Sequence, residues 1–383
     1  MENTIDILKT IISIPSYVNK QNNEKNLIAY IKSFVHTNAP FLKVEEQHVE
    51  DNRSNLIITG PEKVSTVLFG HMDTVLPKEE TDQPFTPRIE GNKLFGLGSV
   101  DMKAGIAIIL DIIKNHHKKG VGYVFTVDEE YEFKGGLKLK DTFNLNPSLI
   151  INVEPTSFKV LNGCRGITEF NFVVNGKSVH AGLKKYGINA IEKGVELVNL
   201  FQKEISKFDS EDRGASSVNL SYIKGGMLQG KNPDGSPIIS ELGMVVPNYA
   251  YLNCEIRIAS DKISKEYITE KLKKIGQKLG VSITDINFKF YLGSMFTPRE
   301  DLKEFEDAFE AAGKTLEYGD ISVAGYYEVQ MLQEVSGSKC VIIGPGPIEM
   351  SHAANEYVLL DSVKDSQDVI EAYIDTKHSE SSK

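Results

Sequence analysis

The 383-residue sequence is poor in cysteine, has no cluster of basic residues and carries no long apolar run. Each scarcity excludes something. Cys164, Cys254 and Cys340 lie far apart and are odd in number, with no CxxC pair. Three reduced core thiols and a cytoplasmic location are therefore expected, not a disulfide framework or a zinc knuckle. No stretch reaches the roughly 18 uninterrupted apolar residues that a membrane span requires. The formal net charge of −10, with no Lys/Arg block, argues against nucleic acid or an anionic membrane surface as partner. Internal repeats and low-complexity linkers are absent as well. What is present is ordinary globular composition, 40% hydrophobic and 25% charged, which argues against disorder. The length suits two or three domains. Residues 1–17 carry acids at Glu2 and Asp6 and break their apolar positions with Lys9. They read as an amphipathic helix stopped at Pro15, not as the basic start and apolar run of a signal peptide.

Short β-rich apolar runs at 64–69, 123–127 and 149–153 alternate with helical spacing over 102–114, where Ala104, Ile108, Ile109 and Ile112 recur. This alternation predicts an α/β fold, a mostly parallel sheet with helices on both faces. The middle differs. Strands at 168–174, 217–223, 250–258 and 281–290 and helices at 189–205 and 265–279 give the order β-α-β-β-α-β. That is the ferredoxin-like pattern of an inserted domain. A helix at 302–312 and a strand at 339–343 return to the first domain. The expected boundaries are 1–163 with 293–383 for the catalytic domain and 164–292 for the insertion. The polar stretch 225–243, with Asn232, Pro233, Asp234, Gly235 and Pro237, reads as a loop, and 377–383 as a disordered tail.

In open α/β sheets, ligands bind beyond the carboxyl ends of the strands. Those ends deliver His71 and Asp73; Asp128, Glu129 and Glu130; Glu154; and, after a Gly-Pro-Gly-Pro turn, His352. Asp101 lies in a loop ahead of a helix. Any one of these is unremarkable, because a lone HxD or a run of acids is usually surface. Four strand ends converging on His and carboxylate are the signal of a metal site. The Gly96-Leu97-Gly98 segment is not a dinucleotide fingerprint, for it lacks the third glycine and follows no strand–turn unit.

Several motifs occur in a recognisable order: Gly70-His71-Met72-Asp73-Thr74, Leu94-Phe95-Gly96-Leu97-Gly98-Ser99-Val100-Asp101-Met102-Lys103, Asp128-Glu129-Glu130, Glu154-Pro155-Thr156, and Gly344-Pro345-Gly346 followed by Ser351-His352. Lys177-Ser178-Val179-His180-Ala181-Gly182 lies among them. As a set they resemble the acetylornithine deacetylase / succinyl-diaminopimelate desuccinylase family from about residue 5 to about residue 372.

The resemblance implies two zinc ions per subunit, with cobalt or manganese as substitutes. His71 and Glu154 would hold one, Glu130 and His352 the other, and Asp101 would bridge both. Two divalent ions against three carboxylates leave one positive charge, which one hydroxide balances. Asp73 would fix the His71 tautomer, and the Asp101–Met102 peptide would be cis. Spacing alone leaves open which of Glu129 and Glu130 is the ligand; family order makes Glu129 the general base. His180 would reach the partner subunit's active site and stabilise the oxyanion, which requires a homodimer. Arg257, in Cys254-Glu255-Ile256-Arg257, and Asn248, in Val246-Pro247-Asn248, match substrate-binding positions. Family members place few residues between the equivalents of Gly226 and Asn248, so the insertion here is a departure. The implied activity is hydrolysis of an N-acyl amino acid such as acetylornithine. Behind it stand a metallo-carboxypeptidase or dipeptidase acting on short peptides, then a desuccinylase. A non-catalytic binding relative is disfavoured because every implied ligand and Glu129 are present.

Overall fold

The computed structural model describes residues 2–210, 213–240, 242–322 and 324–378. The chain divides into two compact units. One comprises Met1–Gly163, Met295–Asp320 and Tyr327–Lys383; the other comprises Cys164–Ser294 and Ile321–Tyr326. The sequence reading gave 293–294 and 321–326 to the first domain. Both segments group instead with the insertion, where Ser322 packs so tightly on Gly214 that a Cβ there would lie 2.5 Å from the serine Cβ.

The first unit is built on a six-stranded sheet in the order Lys43–Glu50, Arg53–Thr59, Val121–Thr126, Thr66–His71, Leu149–Asn152, Lys339–Ile342. The last four strands pair in parallel, and the first two form an antiparallel hairpin on the edge. The parallel strands are almost wholly buried, as their continuous apolar runs require. Side chains alternate between two cores. Leu68, Tyr123, Ile151 and Val341 share one face with the helices Glu2–Ile12, Lys25–Asn38, Ala104–Asp111, Lys303–Ala311 and Leu360–His378. The helices Lys134–Thr142 and Val329–Ser336 pack on each other and on sheet strands from the opposite side. The mostly parallel sheet with helices on both faces is thus as expected from the alternation of runs.

Ala104–Asp111 is buried along its whole length. Gly105 lets it approach the sheet, since a Cβ there would stand 2.2 Å from the Val153 carbonyl oxygen. The helix begins two residues later than its spacing suggested, because Asp101 and Met102 have non-helical backbone angles. Leu360–His378 includes Lys377, which had been assigned to a disordered tail. Residues 379–383 of that tail lie outside the described residues.

The second unit is an antiparallel sheet in the order Pro237–Ser240, Ser217–Lys231, Tyr249–Ile258, Gly166–Asn175, Ser282–Leu292. Its helices are Ala190–Ile205, capped by Asn189, and Lys265–Lys278, capped by Ser264. Without Pro237–Ser240, the strand order is that of a ferredoxin-like domain. The stretch 225–243 is not the loop its polarity suggested. Met227–Lys231 continues its strand and pairs with Pro237–Ser240, with Asn232–Ser236 as the turn between them. Polar residues on an exposed hairpin pair through their backbones, a contribution that composition does not reveal. Among the described residues no helix is long and apolar enough to cross a membrane.

Candidate metal centre

Each core strand hands a side chain to the same end of the sheet. His71 is the last residue of Thr66–His71, and Glu154 follows Leu149–Asn152 by two residues. The loop after Val121–Thr126 carries Glu129 and Glu130. After Lys339–Ile342 the chain passes through a cis Gly346–Pro347 bond to His352. Asp101 sits in a turn with a cis Asp101–Met102 bond ahead of Ala104–Asp111.

These five residues form two groups that share Asp101. His71 Nε2 is 3.3 Å from Asp101 Oδ1 and 3.3 Å from Glu154 Oε1. His352 Nε2 is 3.4 Å from Asp101 Oδ2 and 2.9 Å from Glu130 Oε2. In each group the ligand-type atoms lie within 4.8 Å of one another.

The donors fit a cation. His71 Nδ1 lies 3.1 Å from the Asp73 carbonyl oxygen, so that nitrogen donates and Nε2 presents its lone pair to two carboxylates. Nε2 is buried without a hydrogen-bond partner. A lone pair facing two carboxylates in the interior requires a positive charge between them. Without a bound cation a proton on the ring takes that place: against burial, Glu154, Asp101 and Asp73 raise the His71 pKa well above the ordinary value. Burial together with the Asp101 charge pushes Glu130 up to about 7, and bonds to Asp101 and Glu130 carry His352 to about 10. Mixed imidazole and carboxylate donors suit zinc, cobalt or manganese.

Glu129 stands among these groups. Burial raises its pKa well above the usual carboxylate value; the neighbouring charges of Glu154, Glu130 and Glu328 add to this, and His71 opposes it. A carboxylate so placed holds a proton more readily than an ordinary one, as proton transfer requires.

Asp73 stands against His71 and also holds the neighbouring loop. Its main-chain oxygen lies 3.1 Å and its carboxylate Oδ1 3.5 Å from His71 Nδ1, and the carboxylate oxygens also accept the N–H groups of Glu129 at 3.1 Å and Glu130 at 2.9 Å. Three supports escaped the sequence reading. Glu356 accepts the N–H groups of Gly98, Val100 and Asp101 at 2.8–3.0 Å and so fixes the shared aspartate. Glu328 joins Thr126 Oγ1 to the Gly136 N–H. Arg53, bonded to Glu24 and Asp128, lies beneath the Asp128-Glu129-Glu130 loop. In the sequence only the nearness of Glu356 to His352 hinted at a role.

The remaining candidates lie in the second unit, whereas both ligand groups belong wholly to the first. His180 is exposed, and its Nδ1 accepts the Gly182 N–H at 3.1 Å. Arg257 projects from Tyr249–Ile258 and pairs through Nε with Glu255 at 2.9 Å. Asn248 Oδ1 accepts the Leu228 N–H at 2.8 Å, so this oxygen secures the base of the hairpin.

Residues 67–376 match Peptidase family M20/M25/M40. The acetylornithine deacetylase of Buchnera aphidicola is 26% identical over 373 residues, covering 92% of each chain. That of Klebsiella pneumoniae is 31% identical over 58% of this chain and 62% of its own. A probable carboxypeptidase of Aspergillus clavatus is 26% identical over 95% of this chain and 86% of its own. Among solved structures, a tripeptidase from Staphylococcus aureus superposes with a TM-score of 0.73 at 17% identity, covering 99% of both chains. A dinuclear metal-binding M20 peptidase from Bacillus subtilis gives 0.69 at 14% identity, covering 99% and 98%. With its ligand-type residues gathered at the strand ends and most of its length matched, the chain belongs to peptidase family M20/M25/M40, a family of metal-dependent hydrolases.

Proposed function

We propose that the protein is a two-metal amidohydrolase that cleaves the amide bond of an N-acylated amino acid, with acetylornithine as the first-choice substrate. The observation that carries the two-metal reading is Asp101, whose two oxygens face different ligand groups, His71 with Glu154 and His352 with Glu130. Two zinc ions are assigned to these groups, with cobalt or manganese as substitutes. When bound, such cations polarise a carbonyl and acidify water.

The chain's own residues account for the rest. Glu129 takes up a proton and returns it to the leaving amine, a task its raised pKa supports. Asp73 holds the main chain of Glu129 and Glu130. Because His180 Nδ1 accepts a hydrogen bond, the neutral ring carries its proton on Nε2. That N–H is assigned to a developing oxyanion in the partner subunit of a homodimer. Arg257 is assigned to the substrate carboxylate, for which it leaves Glu255, and Asn248 to the substrate through its amide nitrogen. The first unit is thus the catalytic body, and the second serves dimerisation and substrate closure in a cytoplasmic enzyme.

Acetylornithine is favoured by the Buchnera aphidicola deacetylase, which matches over 92% of the chain. The Aspergillus relative supports a carboxypeptidase or dipeptidase as second reading, and a desuccinylase ranks third. The test is amine release by zinc- or cobalt-loaded protein from Nα-acetyl-L-ornithine, a dipeptide and succinyl-diaminopimelate. Chelator-sensitive release mainly from the first supports the proposal. Preference for the dipeptide moves the assignment to peptidase. No release from any of them, with metal bound, refutes the assignment to these substrates.

A further inference from the structure

Every backbone N–H from Val127 to Gly136 has an acceptor. Most of these acceptors are side-chain carboxylates. Asp128 N–H donates to Glu24 Oε1 at 3.1 Å, and the next two N–H groups go to Asp73. Asp128 Oδ2 then accepts the N–H groups of Glu132 and Lys134 at 3.2 and 3.3 Å. To make this turn Asp128 adopts a φ of +70°, a conformation aspartate tolerates better than most residues. A shell of carboxylates crowded on one loop repels itself unless a cation lies within it. Arg53 supplies that charge. Its Nε and Nη2 form a two-pronged pair with Glu24 at 2.8 and 2.7 Å, and the same Nη2 reaches Asp128 Oδ1 at 2.6 Å. All three side chains are buried, at 5%, 0% and 3% exposure.

We infer that the Glu24–Arg53–Asp128 triad is a positioning device for the general base: Arg53 fixes the left-handed Asp128, and Asp128 sets the direction in which Glu129 leaves the strand. None of the three touches the ligand groups; they act through the loop backbone. Arginine is required over lysine because one planar group serves two carboxylates along fixed directions. The inference rests on the assignment of Glu129 as base.

The test is Arg53→Lys in the zinc-loaded protein, on whichever amide the natural protein turns over. A displaced base costs turnover without weakening substrate or metal binding. The expected result is a loss of about 30- to 100-fold in kcat, with KM within about twofold and the zinc content per chain unchanged. A kcat within about twofold of normal, whatever happens to the melting temperature, makes the triad a purely structural ion cluster and overturns the inference. If Arg53→Lys does not accumulate as folded protein, Asp128→Asn, which leaves Arg53 on Glu24, is read by the same split and the same criterion. Glu129→Gln runs alongside. If it keeps normal turnover, the base assignment fails and the inference falls with it. If it loses turnover while Arg53→Lys does not, the inference alone is wrong.

Discussion

Glu328 allows the physics of this interior to be tested independently of any substrate. It is fully buried, and burial first, then the Asp73 charge, push its pKa to about 8, against its bonds to Thr126 Oγ1 and the Gly136 N–H and against the His71 charge. Between the ordinary carboxylate value of 4.5 and about 8, the folded chain holds a proton that the unfolded chain has released. Stability from this group is therefore complete below the lower value and is lost as pH rises toward the upper one. Each pKa unit corresponds to about 1.4 kcal/mol, so from pH 5 to pH 8 the folded state loses about 3 kcal/mol through Glu328 alone. Glu328→Gln mimics the protonated acid: its amide oxygen accepts from Gly136 and its amide nitrogen donates to Thr126. Urea unfolding of both proteins at pH 5 and pH 8, with chelator present so that metal loading does not vary, isolates the term. The variant should gain about 3 kcal/mol on the natural protein across that interval, with Glu129, whose pKa the Glu328 charge helps to raise, shifting in the same direction. Parallel stability curves, with a difference that stays within about 0.5 kcal/mol, would refute the reasoning.

Three further outcomes are expected. Glu129→Gln should retain its metal, measured by elemental analysis, and lose about 10²- to 10⁴-fold in turnover; near-normal turnover would move the base to Glu130. His180→Ala should impair turnover more than metal binding. Mixing it with Glu129→Gln should restore part of the activity through hybrid dimers, and no recovery after demonstrated subunit exchange would exclude a shared site. Gly136→Ala would place a Cβ 2.5 Å from Glu328 Oε1 and 3.1 Å from Met331 Sδ. It should cost about 1–3 kcal/mol, seen as a lower melting temperature, and an unchanged melt would show that Glu328 moves freely.

How much of this was legible beforehand depends on whether a residue announces itself through pattern. The parallel strands did, because burial on both faces demands uninterrupted apolar runs such as Val67, Leu68 and Phe69. So did the two capped helices of the second unit, with Asn189 and Ser264 ahead of amphipathic segments. His71, Glu130, Glu154 and His352 stood out because strand ends are where an α/β sheet places chemistry, Asp101 because its loop precedes a helix, and the choice of these five over Glu129 came from family order. Glu24, Arg53, Glu328 and Glu356 were missed because a charged residue reads as solvated surface until its partners are known. Lys43–Glu50 was missed for a related reason: it is an edge strand whose alternation is mostly between polar residues. The hairpin at 227–240 was hidden by composition, since its pairing is in the backbone. That Asp73 also holds the N–H groups of Glu129 and Glu130 is a distinction no sequence spacing contains.

The discontinuity of the first unit has a consequence for how the protein is made. Its sheet closes with Lys339–Ile342 beside Leu149–Asn152, strands separated by the whole of Cys164–Ser294. During synthesis the second unit's sheet and helices are therefore all available while the first unit still lacks its edge strand, Glu328, His352 and Glu356. The exposed flank of Leu149–Asn152 must wait unpaired through this interval, when an open parallel edge is most prone to capture by another chain. Translation rate through residues 164–338, more than the stability of the finished fold, should then govern the yield of correctly assembled protein.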